Sequence, residues 1–201
     1  MTILSLFPKA VGKYELGREF TDKEKDFVHK AERRPNMGNQ SSANNYVLKE
    51  KVMKKLHEFL QESATDYFNQ VYRPKDDVKL YITQSWLNYT EPGQFHHKHA
   101  HPNSFISGVL YINADITKDK IFFYNDGYQQ IKLNPTDWNT WNSESWWFEA
   151  GTGVLYLFPS SLTHMVEVVT AAETRISLSF NTFLRGTIGD NSSLTELKTE
   201  E

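Results

Sequence analysis

The chain has 201 residues, of which 39% are hydrophobic and 14% aromatic, and this is enough apolar material for one globular domain with its own core. Its formal net charge of -3 leaves no basic surplus, so we do not expect nucleic acid as a partner. It contains no cysteine, which excludes disulfides, zinc–thiolate sites and thiol nucleophiles and leaves histidine, aspartate and glutamate as metal-binding side chains.

The sequence predicts a cytoplasmic protein that does not associate with membranes. No run approaches the roughly 20 apolar residues of a membrane-spanning helix. The first residues carry no basic leader and no small-residue cleavage site.

Residues 1–78 are predicted to form a helical layer. Thr21 and Glu24 have the spacing of a capping box, which predicts the start of a short charged helix. After a polar loop, apolar residues recur at spacings of three and four between Leu48 and Val71. This pattern predicts an amphipathic helix whose apolar side covers part of the core.

Residues 79–185 change to short runs rich in β-branched and aromatic residues, separated by turn signals. Such a series predicts a barrel or jelly roll with the helices packed on one sheet. We expect 1–185 to be a single catalytic domain and the polar segment 186–201 to be a flexible tail. The predicted strands are 79–89, 105–113, 120–124, 128–133, 145–149, 153–158, 163–169 and 174–183.

Four of the seven histidines lie within six residues, at 96, 97, 99 and 101. Alternate residues of a strand point to the same side, so His99 and His101 can converge on one metal ion. His97 and His99 could instead be the pair, with His101 behind them. The best candidate for a third ligand is His164, which closes the apolar run 153–164. An exposed histidine-rich loop that acquires metal by chance is the alternative.

Arg175 and Ser177 lie on the same side of the last predicted strand. An arginine that faces inward needs an anion, and together with a nearby hydroxyl it could hold a carboxylate. A salt bridge for Arg175 and a local hydrogen bond for Ser177 are the structural alternatives.

The paired histidine motifs resemble those of double-stranded β-helix metalloproteins, a group that includes cupins and oxygenases. Over residues 80–183 the chain resembles 2-oxoglutarate/Fe(II)-dependent dioxygenases, in particular a small family found in bacteria and their phages. The motifs that carry this resemblance are Ser85–Asn88, His99–Ser104, Ser107–Ile112, Phe158–His164 and Arg175–Asn181.

The resemblance implies a double-stranded β-helix, cupin-like in form, that uses Fe(II) as metal and 2-oxoglutarate as cosubstrate. Dioxygen would be the second reactant, and an unidentified substrate would be hydroxylated with release of succinate and CO2. In prolyl-hydroxylase-like members two tyrosines line the cosubstrate pocket, and Tyr111 and Tyr89 stand at the corresponding positions. The implied metal ligands are His99, His101 and His164, and the implied cosubstrate residues are Arg175, Ser177, Tyr111 and Tyr89.

One position departs from the superfamily pattern, in which the first motif is His-x-Asp or His-x-Glu. Here the second member is His101, so the site would have three neutral ligands and would keep the full charge of a divalent ion. Such a site should bind anions such as 2-oxoglutarate well.

Two other functional classes compete with the oxygenase. One is a cupin-type metal-binding protein, either an isomerase or a non-catalytic binding module. A cupin should have a carboxylate shortly after His101, but Phe105 and Ile106 occupy that region, which favours the oxygenase. The other is a degenerate oxygenase fold that binds metal without turnover.

Two further features have open interpretations. The tryptophan-rich segment 138–147 is predicted to pack in the core, with a substrate-binding lid as the alternative. A homodimer could form through a barrel edge or through the helical layer.

Overall fold

The computed structural model describes residues 1–75, 77–127, 131 and 133–199. Within these ranges the chain forms two α-helices, α1 (Asp22–Lys30) and α2 (Lys54–Tyr72), and two 3-10 turns between them. The strands are β1 (Gly12–Glu15), β2 (Arg33–Pro35), β3 (Gln40–Ser42), β4 (Lys79–Thr90), β5 (His96–His99), β6 (Ile106–Asn113), β7 (Lys120–Tyr124), β8 (Ser145–Glu149), β9 (Val154–Pro159), β10 (His164–Val166), β11 (Arg175–Ile188) and β12 (Leu197–Thr199).

The strands form two sheets. The major sheet has the order β1-β9-β6-β11-β4-β3-β2, with β12 paired to β11, and the minor sheet has the order β5-β10-β7-β8. Neighbouring strands pair in antiparallel fashion throughout. The predicted double-stranded β-helix, or jelly roll, with helices on one sheet is therefore confirmed.

Helix α1 begins where the capping box predicts. The Glu24 backbone N–H donates to the Thr21 hydroxyl at 3.3 Å, and the Glu24 carboxylate accepts from the Thr21 backbone N–H at 2.8 Å. The same carboxylate also accepts two bonds from Arg18, at 2.9 and 2.7 Å. Glu24 is only 2% exposed, so these bonds are what make its burial tolerable.

Helix α2 covers the outer face of the major sheet. Its buried residues Leu56, Leu60, Ala64 and Phe68 recur every fourth position and pack in one core with sheet residues such as Leu178. Burial of each such leucine contributes about 1.5–3 kcal/mol. The predicted amphipathic helix is thus present, though it begins a few residues later than the pattern indicates.

A second core fills the space between the two sheets. Because successive side chains of a strand alternate, β6 and β9 contribute to both cores at once. The residues that face the minor sheet include Val109, Tyr111, Tyr156 and Phe158, which pack against Ile121 and Phe123.

Several elements differ from the sequence prediction. Residues 1–78 contain β1, β2 and β3 as well as helices, and these strands extend both edges of the major sheet. The segment from 186 onward holds the end of β11 and the paired strand β12, so it is not a loose tail as far as residue 199. The predicted strand at 128–133 lies mostly outside the described residues, and neither 131 nor 133 belongs to a strand.

The tryptophan-rich segment does not pack in the core, so that prediction is wrong. Trp138 and Trp141 are each 60% exposed, and Trp146 and Trp147 on β8 are 37% and 42% exposed. The reason is that β8 is the edge strand of the minor sheet. Among the described residues no helix is both long and apolar enough to cross a membrane.

Candidate metal centre and cosubstrate pocket

Three of the predicted ligands meet at one end of the minor sheet. Strands β5 and β10 are paired so that His99 lies opposite His164. The loop after β5 is held by a bond from the His101 backbone N–H to the Ser160 carbonyl at 2.9 Å. One nitrogen from each of His99, His101 and His164 lies within 4.8 Å of the other two. We call these three residues the histidine triad.

Backbone carbonyls orient two of the triad rings. The Nδ1 atom of His99 lies 2.7 Å from the His97 carbonyl, and the Nδ1 atom of His164 lies 3.0 Å from the Leu162 carbonyl. A carbonyl oxygen can only accept, so each Nδ1 carries the proton and each Nε2 presents a lone pair. This is the arrangement that fixes metal-binding histidines in proteins.

Burial keeps the triad neutral. It lowers the pKa of His164 to about 3 and that of His101 to about 4, and positive charge on neighbouring histidines adds to the effect in both cases. Burial also lowers the pKa of His99, against the opposing effect of its bond to the His97 carbonyl. Unprotonated imidazoles are the form that binds metals, so the triad is ready to bind at neutral pH.

The structure separates the two histidine pairings that the sequence allows. His97 groups with His96 and His99, whereas His164 groups with His99 and His101. The Nδ1 atom of His97 lies 3.4 Å from the Met37 carbonyl. The pair that His164 completes is therefore His99 and His101.

Arg175 begins strand β11 and is only 3% exposed. Its guanidinium contacts the Lys120 carbonyl through a long bond of 3.4 Å and lies 5.6 Å from the centre of the Tyr111 ring. Burial lowers its pKa, and the electrostatic effects of Tyr111 and then Asp119 only partly oppose this. None of the ion pairs among the described residues includes Arg175, so the salt-bridge alternative is not what this structure contains.

Three buried side-chain atoms of the described residues have no hydrogen-bond partner: Asn88 Oδ1, the Tyr111 hydroxyl and Arg175 Nε. All three residues line one cavity between the sheets, together with the histidine triad and Ser177. We call this the inner cavity. Unpartnered buried polar groups are destabilising, by about 1–3 kcal/mol each. Their concentration beside the triad fits a site shaped for an anionic ligand that carries oxygen atoms.

Asn88 is a site residue that the sequence analysis missed. Its Nδ2 atom donates to the Ser179 hydroxyl at 2.9 Å, while Oδ1 faces the inner cavity. The two ends of an amide can exchange, so the Ser179 hydroxyl could donate to Oδ1 and leave Nδ2 free for a carboxylate. The available signal was an amide side chain inside an otherwise apolar stretch of β4, in register opposite Ser177.

The structure places Tyr89 outside the lining of the inner cavity, on the other face of β4. The Tyr89 hydroxyl donates to the Val28 carbonyl at 2.6 Å, and the Arg33 guanidinium lies 3.9 Å above its ring. Successive residues of β4 point to opposite faces of the sheet. Because Asn88 faces the inner cavity, Tyr89 faces the helices.

A larger cavity of about 700 Å³ lies outside the triad and opens to solvent. It shares Trp86, His96, His99 and His101 with the inner cavity. We call it the outer cavity. A molecule bound there would lie next to the triad and away from Arg175, which lines the inner cavity but not the outer cavity.

Residues 84–181 match the model of a protein family described as "Putative 2OG-Fe(II) oxygenase". The match spans just under half of the chain and supports a relation to the 2OG-Fe(II) oxygenases. The match supports Fe(II) as the metal, 2-oxoglutarate as the cosubstrate and an activity of the dioxygenase type.

Solved 2OG-Fe(II) oxygenases share the fold. An oxidoreductase of this family from Burkholderia pseudomallei is 14% identical, with 85% of this chain and 84% of that chain covered and a TM-score of 0.59. HygX from Streptomyces hygroscopicus, solved with nickel, 2-oxoglutarate and hygromycin B, is 8% identical. The alignment covers 87% of this chain and 82% of that chain, with a TM-score of 0.59. A prolyl-4-hydroxylase from Pseudomonas putida is 14% identical. The alignment covers 86% of this chain and 92% of that chain, with a TM-score of 0.55.

At these identities the likeness shows the fold alone. No curated protein matches the chain in sequence.

Proposed function

We propose that the protein is a 2OG-Fe(II) oxygenase that hydroxylates an organic substrate. One oxygen atom of O2 enters the new hydroxyl group, and the other enters succinate as CO2 is released. The observation that carries the proposal is the inner cavity. It brings together the neutral histidine triad, a buried arginine that forms no ion pair with the described residues, and two further unpartnered polar groups.

The triad is the proposed metal site. His99, His101 and His164 would each offer Nε2 to Fe(II), with the His97 and Leu162 carbonyls fixing two of the rings. When bound, Fe(II) with 2-oxoglutarate supplies the two-electron oxidation that inserts oxygen into a C–H bond. Three protein ligands leave coordination positions for small molecules, as a catalytic site requires.

Arg175 is the proposed partner of the distant carboxylate of 2-oxoglutarate. Its guanidinium offers several N–H donors in one plane and lies in a site closed to solvent, where a charge-assisted bond is strongest. The Tyr111 hydroxyl would donate to the same carboxylate, since it has no other partner. Ser177, which is 4% exposed, and Asn88 complete the polar wall.

The test is an anaerobic titration of Fe(II)-loaded protein with 2-oxoglutarate, followed by the weak visible charge-transfer band of the metal–cosubstrate chelate. We expect the wild type to develop the band, His164→Ala to lose it and Arg175→Ala to need at least tenfold more 2-oxoglutarate. His29→Ala is the matched control, because His29 is exposed on α1. A protein that binds one Fe(II) per chain without forming the band would contradict the proposal and favour the cupin-type alternative.

A further inference from the structure

The outer cavity has an unusual charge pattern for a solvent-exposed pocket. Its lining includes no aspartate or glutamate, and Arg34 is its single arginine or lysine. The other polar groups are histidines, hydroxyls and the amides of residues such as Asn36 and Gln84. A cavity with this lining attracts negative charge and offers many neutral hydrogen bonds.

Arg34 is held toward this cavity by the strand it belongs to. On β2 the adjacent Arg33 stacks over the Tyr89 ring on the helical side, so alternation places Arg34 on the opposite side. Its Nη2 atom donates to Asn45 Oδ1 at 2.8 Å and its Nε atom lies 3.4 Å from the Ser41 hydroxyl. Both partners are neutral, and none of the ion pairs of the described residues includes Arg34.

The guanidinium is therefore oriented without being neutralised. A guanidinium has five N–H donors, and at most two of those of Arg34 are in use. The remaining donors lie in a planar fork that matches two oxygens of a carboxylate or phosphate. Asn45 and Ser41 limit the rotamers of the side chain, which reduces the entropy lost when a ligand binds.

The ligand set of the proposed metal site also leaves positive charge beside the outer cavity. Three neutral histidines leave the two positive charges of the metal uncancelled, and Arg175 adds a third. The dianion 2-oxoglutarate cancels two of these charges, so one positive charge would face the outer cavity. A carboxylate at position 101 would have removed it.

We propose that the substrate carries an oxyanion, a carboxylate or a phosphate, which Arg34 binds in the outer cavity while the carbon to be oxidised lies beside His99 and His101. This inference deepens the proposed function and rests on it. The rest of the substrate is polar, because the lining of the outer cavity includes the amide side chains of Asn36, Asn45, Gln84, Asn103 and Asn181.

The first test uses inorganic phosphate and acetate as probes. Each is titrated by calorimetry into Ni(II)-loaded protein saturated with 2-oxoglutarate, so that Arg175 is already occupied. We expect Arg34→Gln to weaken binding of the preferred probe by tenfold or more, and Arg34→Lys to recover part of the loss by restoring charge without the planar fork. Arg33→Gln is the matched control, since it removes an arginine from the other face of the same strand. The probe that binds more tightly identifies the oxyanion.

The inference would be overturned if Arg34→Gln bound both probes as tightly as the wild type does. It would also be overturned if the wild type bound neither probe. These outcomes are distinct from a failure of the proposed function, because the charge-transfer band tests that function without involving Arg34.

A second experiment measures how far small carboxylic acids, each compared with its carboxamide, accelerate the conversion of 2-oxoglutarate to succinate. The inference requires the acids to act more strongly and Arg34→Gln to remove the difference.

Discussion

At the scale of single residues, Arg175 shows how function conflicts with stability. A buried guanidinium that forms no ion pair is among the most unfavourable groups a core can hold, and here it has one long hydrogen bond to a carbonyl. Neighbouring Tyr111 likewise has an unpartnered hydroxyl. Sites that bind ligands often retain such groups because the ligand satisfies them.

This conflict leads to a prediction for Arg175→Met. Methionine fills a similar length without a charge, so the cofactor-free variant should be more stable than the wild type, by about 1–3 kcal/mol in the free energy of unfolding. For a chain of this size that corresponds to a rise of several degrees in Tm. The same variant should lose the stabilisation that 2-oxoglutarate gives to the metal-loaded wild type.

Thermal melts with and without Ni(II) and 2-oxoglutarate measure both effects. Arg185→Met is a suitable control, because Arg185 lies on the same strand over the Tyr81 ring, outside the inner cavity. A cofactor-free Arg175→Met protein that is less stable than the wild type would show that Arg175 is a structural residue.

Residue-scale reasoning predicts which side chains lie together where the signal is local. Alternation along a strand predicted that His99 and His101 would converge, and that Arg175 and Ser177 would share a face. The resemblance assigns Tyr89 to the cosubstrate pocket, whereas the alternation that places Asn88 in the inner cavity places Tyr89 on the opposite face of β4. The unpartnered state of Asn88 could not be predicted, since it depends on which atoms lie nearby in space.

At the scale of elements, the helices were predictable because their signals are short-range. The capping box and the spacing of apolar residues both act within a few residues along the chain. Strands β1, β2, β3 and β12 have three or four residues each and no apolar run of their own. They exist because the edges of the major sheet offer them backbone partners, which no local pattern reveals.

The start of α1 carries a pH-dependent contribution to stability. Burial raises the pKa of the Glu24 carboxyl, but hydrogen bonds from Arg18 and Thr21 outweigh it, so the pKa is lowered from 4.5. A group whose pKa is lower in the folded state stabilises the protein above its unfolded pKa, and the contribution is lost as the pH falls through the folded value.

We therefore expect Glu24→Gln to be less stable than the wild type by about 1–3 kcal/mol at neutral pH, and the difference to shrink as the pH falls below about 4. Chemical denaturation between pH 7 and pH 3 measures it. Glu32→Gln, at an exposed position beyond the end of α1, is the control. A difference that does not change with pH would mean that shape rather than charge makes Glu24 important.

At the scale of the whole molecule, the site exists because two sheets from distant parts of the sequence face each other. The minor sheet provides His99 and His164 through the pairing of β5 with β10, and the major sheet provides Arg175 and Tyr111 through β11 and β6. The inner cavity lies between them, and the outer cavity opens beside the triad. The metal, the cosubstrate and the substrate can thus be arranged in one line from the core to solvent.

The most direct test of this arrangement is an anaerobic crystal structure of the protein loaded with Mn(II), as a redox-inert substitute for Fe(II), and with 2-oxoglutarate. We expect the metal on the Nε2 atoms of His99, His101 and His164 and the distant carboxylate of 2-oxoglutarate on Arg175. A metal bound instead by His96, His97 and His99, or a carboxylate bound away from Arg175, would contradict the account.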